Sequence, residues 1–241
     1  MAAPNSNYRQ LDPQEVVETV RVLHRRIEGR FPASGLGRVA GELLRVAQEN
    51  VERTQWIQKP QIALRIAAGF LSLIIIALLV GMLLHIRRFQ FDDYANFIQS
   101  LESSISAVVF IGAAILFFVS WENRIKRSRA LNAVHELRAL AHIIDMHQLT
   151  KDPAVLSASF RPTENSPQRI LDAADLSRYL DYCSEMLSIT GKLAALYAQS
   201  VNDDVVVRAV NDVETLGSNL SRKIWQKLIM IADSGEQRRK G

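Results

Sequence analysis

Only one cysteine, Cys183, occurs among the 241 residues, so an intrachain disulfide is excluded and the chain suits a reducing compartment. The first ten residues lack an apolar core, which argues against a secretory signal at this end. Acidic, basic and histidine side chains are absent from two runs, Ile66 to Leu84 and Ser103 to Trp121. Proton relays, coupled transporters and voltage sensors place ionisable groups inside the membrane, so that absence argues against all three. A transport core built from repeats also needs more than two helices in a chain. A catalytic triad, a glycine-rich phosphate loop and paired catalytic carboxylates are missing as well. Gly35-Leu36-Gly37 precedes a helical pattern, but no strand precedes it, and phosphate loops need both.

What is present begins with those two runs. Each is about as long as a helix that crosses a bilayer, and 48% hydrophobic content overall conceals how polar the remainder is. The expected fold is therefore an all-α membrane protein. A two-helix transmembrane hairpin spans 61–121, with spans near 63–86 and 103–121 and a short external loop at 87–102. The run Ile66 to Leu84 serves as its own insertion signal. Basic residues flank the outer ends of this pair: Arg53, Lys59 and Arg65 before it, and Arg124, Lys126, Arg127 and Arg129 after it. Arg87 and Arg88 in the loop are opposed by Asp92, Asp93 and Glu102. The positive-inside rule then puts both termini in the cytoplasm, in a cell inner membrane.

Aromatic residues cluster where a bilayer has its interfaces. Trp56 and Trp121 fall near the cytoplasmic ends, and Phe89, Phe91, Tyr94 and Phe97 crowd the loop, as membrane-interface anchors do. Asp92 and Asp93 are placed to cap the second span. The pairs Ala77/Gly81 and Ser103/Ala107 have the small-xxx-small spacing that lets helices pack closely in a membrane. Arg124, Lys126, Arg127 and Arg129 directly follow a span and are expected to contact anionic lipid.

Beyond Trp121 the helical period does not break. Leu131, Val134, Leu137, Ala141 and Ile144 carry it over 122–150, so the second span continues roughly 40 Å as a cytoplasmic helix. Pro153, Pro162 and Pro167 mark 151–168 as a linker, with Ser166 and Pro167 read as the next helix start. Leu176, Leu180, Cys183, Leu187, Thr190, Ala194 and Tyr197 then step by fours and threes, and Val206, Val210, Val213, Gly217, Leu220, Ile224 and Ile231 do so again. That is a heptad seam, so 169–241 reads as a coiled-coil-like helical pair with a basic tail, in an antiparallel bundle. The N-terminal arm, 1–60, contributes two helices, the first opened by a capping box at Asp12, Pro13 and Glu15.

Candidate chemistry is sparse. On the projecting helix His135, Glu136, His142, Asp145 and His147 lie close in sequence, but only His142 and Asp145 have the spacing of two ligands on one face. They are weak metal candidates, and no cofactor is expected. Cys183 sits in an apolar seam position and reads as a structural thiol. The expected function is non-enzymatic: a membrane protein whose cytoplasmic bundle mediates homo-oligomerisation or docks a helical partner, with the lipid bilayer as its other partner and no nucleic acid. The alternative is an oligomeric pore or channel, or a membrane-disrupting effector.

Overall fold

A computed structural model describes residues 9–59, 62–87, 94–156, 160–161, 164 and 171–240. The described residues are 89% helix, with no strand among them. The elements are α1 (Pro13–Arg30), α2 (Gly35–Gln58), α3 (Ile62–Arg87), α4 (Tyr94–Leu149), a 3-10 turn (Pro153–Leu156), α5 (Ala173–Ser200) and α6 (Asp204–Lys240). They form two compact units, one made of 1–58 together with 129–241, the other of 59–128.

The first unit is a helical bundle. Its helix ends are set by local side-chain caps. The Asp12 carboxylate accepts the Gln14 N–H at 2.8 Å, with Pro13 in the first turn of α1. Ser34 Oγ accepts the Gly37 N–H at 3.0 Å at the start of α2. Asp203 accepts the Val205 and Val206 N–H groups at 3.0 and 3.2 Å, which opens α6. Each such cap contributes about 1 kcal/mol by satisfying donors that the helix cannot. At the α1–α2 joint Ala33 adopts φ 54°, the left-handed conformation. That turn seats Phe31 edge-on against Tyr179 and Tyr182, ring centres 5.5 and 6.3 Å away.

α5 is the axis of the bundle and packs against α1, α2 and α6. All seven seam residues from Leu176 to Tyr197 are buried, and so are Tyr179, Tyr182, Met186, Ile189, Leu193 and Leu196. A heptad stripe serves one partner, but a helix with three neighbours needs a much wider apolar face. The pair expected from the seam is thus the middle of a larger core. α6 keeps a single narrow stripe, with Val206, Val210, Val213, Gly217, Leu220, Ile224 and Ile231 all buried. Both seams are consumed within the chain. Cys183 is fully buried in this core, which pushes its thiol up to about 12 and leaves it in the neutral, unreactive form.

Two boundaries differ from those read in the sequence. α5 begins at Ala173, where the Asp172 carboxylate accepts the Asp175 N–H at 2.7 Å. Ser166 and Pro167 lie outside the described residues. Cap chemistry is equally good at both places, and the apolar period that decides between them starts only at Leu176. The linker is also more than a spacer, since Pro153 and Leu156 of the 3-10 turn are buried and the turn packs on α6.

In the second unit none of the described apolar side chains is buried. Ile66, Phe70, Leu73 and Ile76 on α3 and Val109, Phe110, Leu116 and Phe117 on α4 are all more than half exposed. α4 is the one described helix long and apolar enough to cross a membrane, and none of its apolar window is buried. α3 is 26 residues long, but its described apolar stretch, Gly69–Gly81, is shorter than a bilayer crossing. The expected hairpin thus has one of its two spans on these criteria. α4 does run unbroken from Tyr94 to Leu149, as the uninterrupted period implies.

Two substitutions on α5 separate packing from propensity. Leu193→Ala removes a fully buried side chain and is expected to lower unfolding stability by about 2–5 kcal/mol. Gly191→Ala is expected to raise it by up to about 1 kcal/mol, because the added Cβ meets Glu214 Cγ at an ordinary 3.7 Å. Denaturant titration followed by circular dichroism reads both, and equal signs would contradict this packing.

Candidate functional site

Two of the four polar side chains buried among the described residues, Asn50 and Thr54, lie on α2, beside its contacts with α5 and α4. α2 turns Asn50, Arg53 and Trp56 toward this region from successive turns. Tyr197 Oη of α5 donates to Asn50 Oδ1 at 2.5 Å, and both residues are fully buried. Asn50 Nδ2 has no hydrogen-bond partner among the described residues. Burial pushes the Tyr197 phenol far up, so it stays a neutral donor. Thr54, also buried, satisfies itself by donating to the Asn50 carbonyl at 2.7 Å.

Arg53 joins α2 to α4. Its guanidinium donates to Glu136 at 2.6 Å and to Glu49 at 2.8 Å. Partial burial opposes its charge, but the bond to Glu136 and the nearby carboxylates outweigh burial and raise its pKa. One turn further along α2, the Arg129 guanidinium carbon lies 3.8 Å from the centre of the Trp56 ring. Such a cation–π contact at a partly exposed site is worth about 0.5–1 kcal/mol. Arg53, Trp56, Arg129, Asn132 and Glu136 line a cleft of about 270 Å³. Sequence reading treated Trp56 and Arg129 separately, as interface anchor and lipid contact, and overlooked the Asn50–Tyr197 pair. The available signal was Asn50 and Thr54, two polar residues four apart on the apolar stripe of α2.

The far end of α4 is held by two further contacts. Lys227 Nζ of α6 donates to the backbone carbonyl and the side-chain oxygen of Gln148, both at 2.8 Å, which caps the helix C-terminus with a cation. His147 lies against Gly35 at the start of α2. Burial first, then Arg38 and Lys151, lower its pKa.

The other predicted residues are dispersed. His142 is exposed, and Asp145 accepts from Gln148 Nε2 at 2.6 Å. No group of three potential metal ligands occurs among the described residues. Of the four cations, Lys126 pairs with Glu122 at 2.8 Å, Arg124 and Arg127 are exposed, and Arg129 covers Trp56. Trp121 is exposed with Phe117 packed beside it, ring centres 5.2 Å apart. Ala77 and Gly81 are exposed, and a Cβ added at Gly81 would meet nothing within 4 Å. Ser103 is exposed and donates to the Gln99 carbonyl at 2.9 Å, and Ala107 is half-buried. Phe89, Phe91 and the side chains of Tyr94 and Phe97 lie outside the described residues.

Removing the phenol by Tyr197→Phe strands the Asn50 amide and is expected to cost about 1–3 kcal/mol, most of it recovered when Asn50→Leu is added. Recovery is read in a double-mutant denaturation series. His147 supplies a pH dependence of known sign. Its folded pKa is below the unfolded value, so the unfolded chain holds more protons between the two. Stability is full above about pH 6.5 and falls as pH drops through the folded pKa. His147→Gln is expected to flatten the thermal midpoint against pH over that window.

No protein-family model, curated protein or solved structure matches this chain.

Proposed function

We propose that the chain is a two-span protein of the cell inner membrane, with both termini in the cytoplasm and a preformed helical bundle as a non-catalytic association platform. One observation carries the topology. Segments 1–58 and 129–241 fold into a single core, so they must lie on the same side of any membrane. The chain between them therefore crosses an even number of times. If α4 crosses, a second crossing is required, and α3 is the remaining apolar helix of that stretch. The exposed apolar side chains along both helices support this, since large contiguous apolar patches are rare on soluble proteins.

The platform role rests on what the bundle does with its polar groups and where it leaves apolar ones. Glu49, Arg53 and Glu136 are spent on ion pairs with one another, and Lys227 on the end of α4. Because both heptad seams are internal, association falls to the outer surface. There Trp225, Ile229 and Met230 of α6 are exposed, with Trp225 63% accessible. Trp225 lines a groove of about 450 Å³ between α5 and α6 together with Ile189 and Leu228. This face is the surface on which copies of the chain associate.

Single cysteines on a Cys183→Ala background test the topology in intact cells. Gln90→Cys is expected to react with a membrane-impermeant maleimide from outside, and Arg9→Cys only after permeabilisation. Labelling of both from one side removes the hairpin. Native mass in mild detergent tests association: the wild type is expected above the monomer, and Trp225→Ala is expected to shift it to the 27.1 kDa chain. A monomeric wild type with nothing co-purifying counts against the platform.

A further inference from the structure

We infer that one face of α4, carrying Ser120, Arg124 and Ser128, binds the phosphate headgroup of an anionic phospholipid while Phe117, Trp121 and Ile125 hold its acyl chain. The inference rests on the membrane reading above and adds a defined lipid site to it. These six residues line a single groove of about 650 Å³ in the second unit. They recur at steps of three and four, which stacks them on one side of the helix.

The charge balance selects Arg124. Lys126 is neutralised by Glu122, Arg129 lies on the Trp56 ring, and Arg127 has a partner of its own. Among the described residues no carboxylate pairs with Arg124, which is exposed one helical turn beyond the apolar run. A guanidinium at such a boundary lacks a counter-charge, and its planar fork matches two phosphate oxygens. Ser120 and Ser128 stand one turn to either side, each about 6 Å along the axis, and both are exposed hydroxyl donors. On the side toward the apolar run, Phe117 and Trp121 form an aromatic wall. Inorganic phosphate would use the polar part of the groove and leave that wall idle. A phospholipid uses both.

Trp121 is a built-in reporter. The test uses full-length protein carrying Trp56→Phe and Trp225→Phe, which leaves one of the three tryptophans, in phosphatidylcholine nanodiscs. Either phosphatidylglycerol or phosphatidylcholine is introduced as a minor fraction brominated on its acyl chains. Brominated phosphatidylglycerol is expected to occupy the Trp121 contact about fivefold more than brominated phosphatidylcholine, the preference that one surface arginine provides. Arg124→Gln is expected to abolish the preference, and Ser120→Ala with Ser128→Ala to reduce it. Circular dichroism confirms that each variant is folded. Equal quenching by the two lipids in the parent protein overturns the site but leaves the hairpin intact. Quenching by neither lipid overturns the membrane reading and the site with it. Retention of the preference in Arg124→Gln overturns the residue assignment, and its loss to added inorganic phosphate overturns lipid as the ligand.

Discussion

Arg26 reaches Glu185 and Arg30 reaches Asp175 because α1 lies along α5, and so the start of the chain is tied to a helix some 145 to 159 residues later. The ion pairs themselves are exposed and contribute little, at most about 1 kcal/mol each. What binds the two parts is the shared core of Ile27, Leu36, Leu43, Leu180, Leu187 and Leu193, each almost completely buried. Closure of that core across the 59–128 insertion constrains everything else. It places both ends of the insertion on one body, and it leaves the seams of α5 and α6 nothing to offer a second chain.

Within the bundle, apolar burial supplies the stability and a few polar contacts supply the registration. Asn50 and Tyr197 lock α2 to α5, Arg53 and Glu136 lock α2 to α4, and Lys227 and Gln148 lock α4 to α6. A slip of one helical turn would part each pair, and for the buried Asn50–Tyr197 pair the stranded groups cost more than an ordinary hydrogen bond contributes. The contacts thus specify one alignment of helices that leucine side chains alone would allow to slide.

Much of this was readable from the chain alone, because helix periodicity is local. The seam positions of α5 and α6, the cap at Asp12 and the unbroken α4 all follow from residue spacing. The width of α5's buried face did not, since Tyr179 and Met186 are apolar residues whose burial depends on which neighbours arrive. Nor did the start at Ala173, where two equally good caps compete. The polar junction was least legible: Arg53 and Glu136 are 83 residues apart, and nothing in either neighbourhood names the other. Arg129 shows the same limit from the opposite direction. As a sequence feature it belongs to a basic run, while in the fold it lies on Trp56.

The interrupted bundle has a consequence in time. α1 and α2 are complete by residue 58, but their main partner α5 ends at Ser200. At ordinary rates of synthesis the intervening chain takes roughly ten seconds or more to make. Throughout that interval Val39, Leu43, Val46 and the Asn50 amide belong to a helical hairpin without its core. Until α5 is made this hairpin keeps its apolar stripe uncovered, so the order of synthesis, more than the final stability, sets where the chain is most exposed to aggregation and proteolysis.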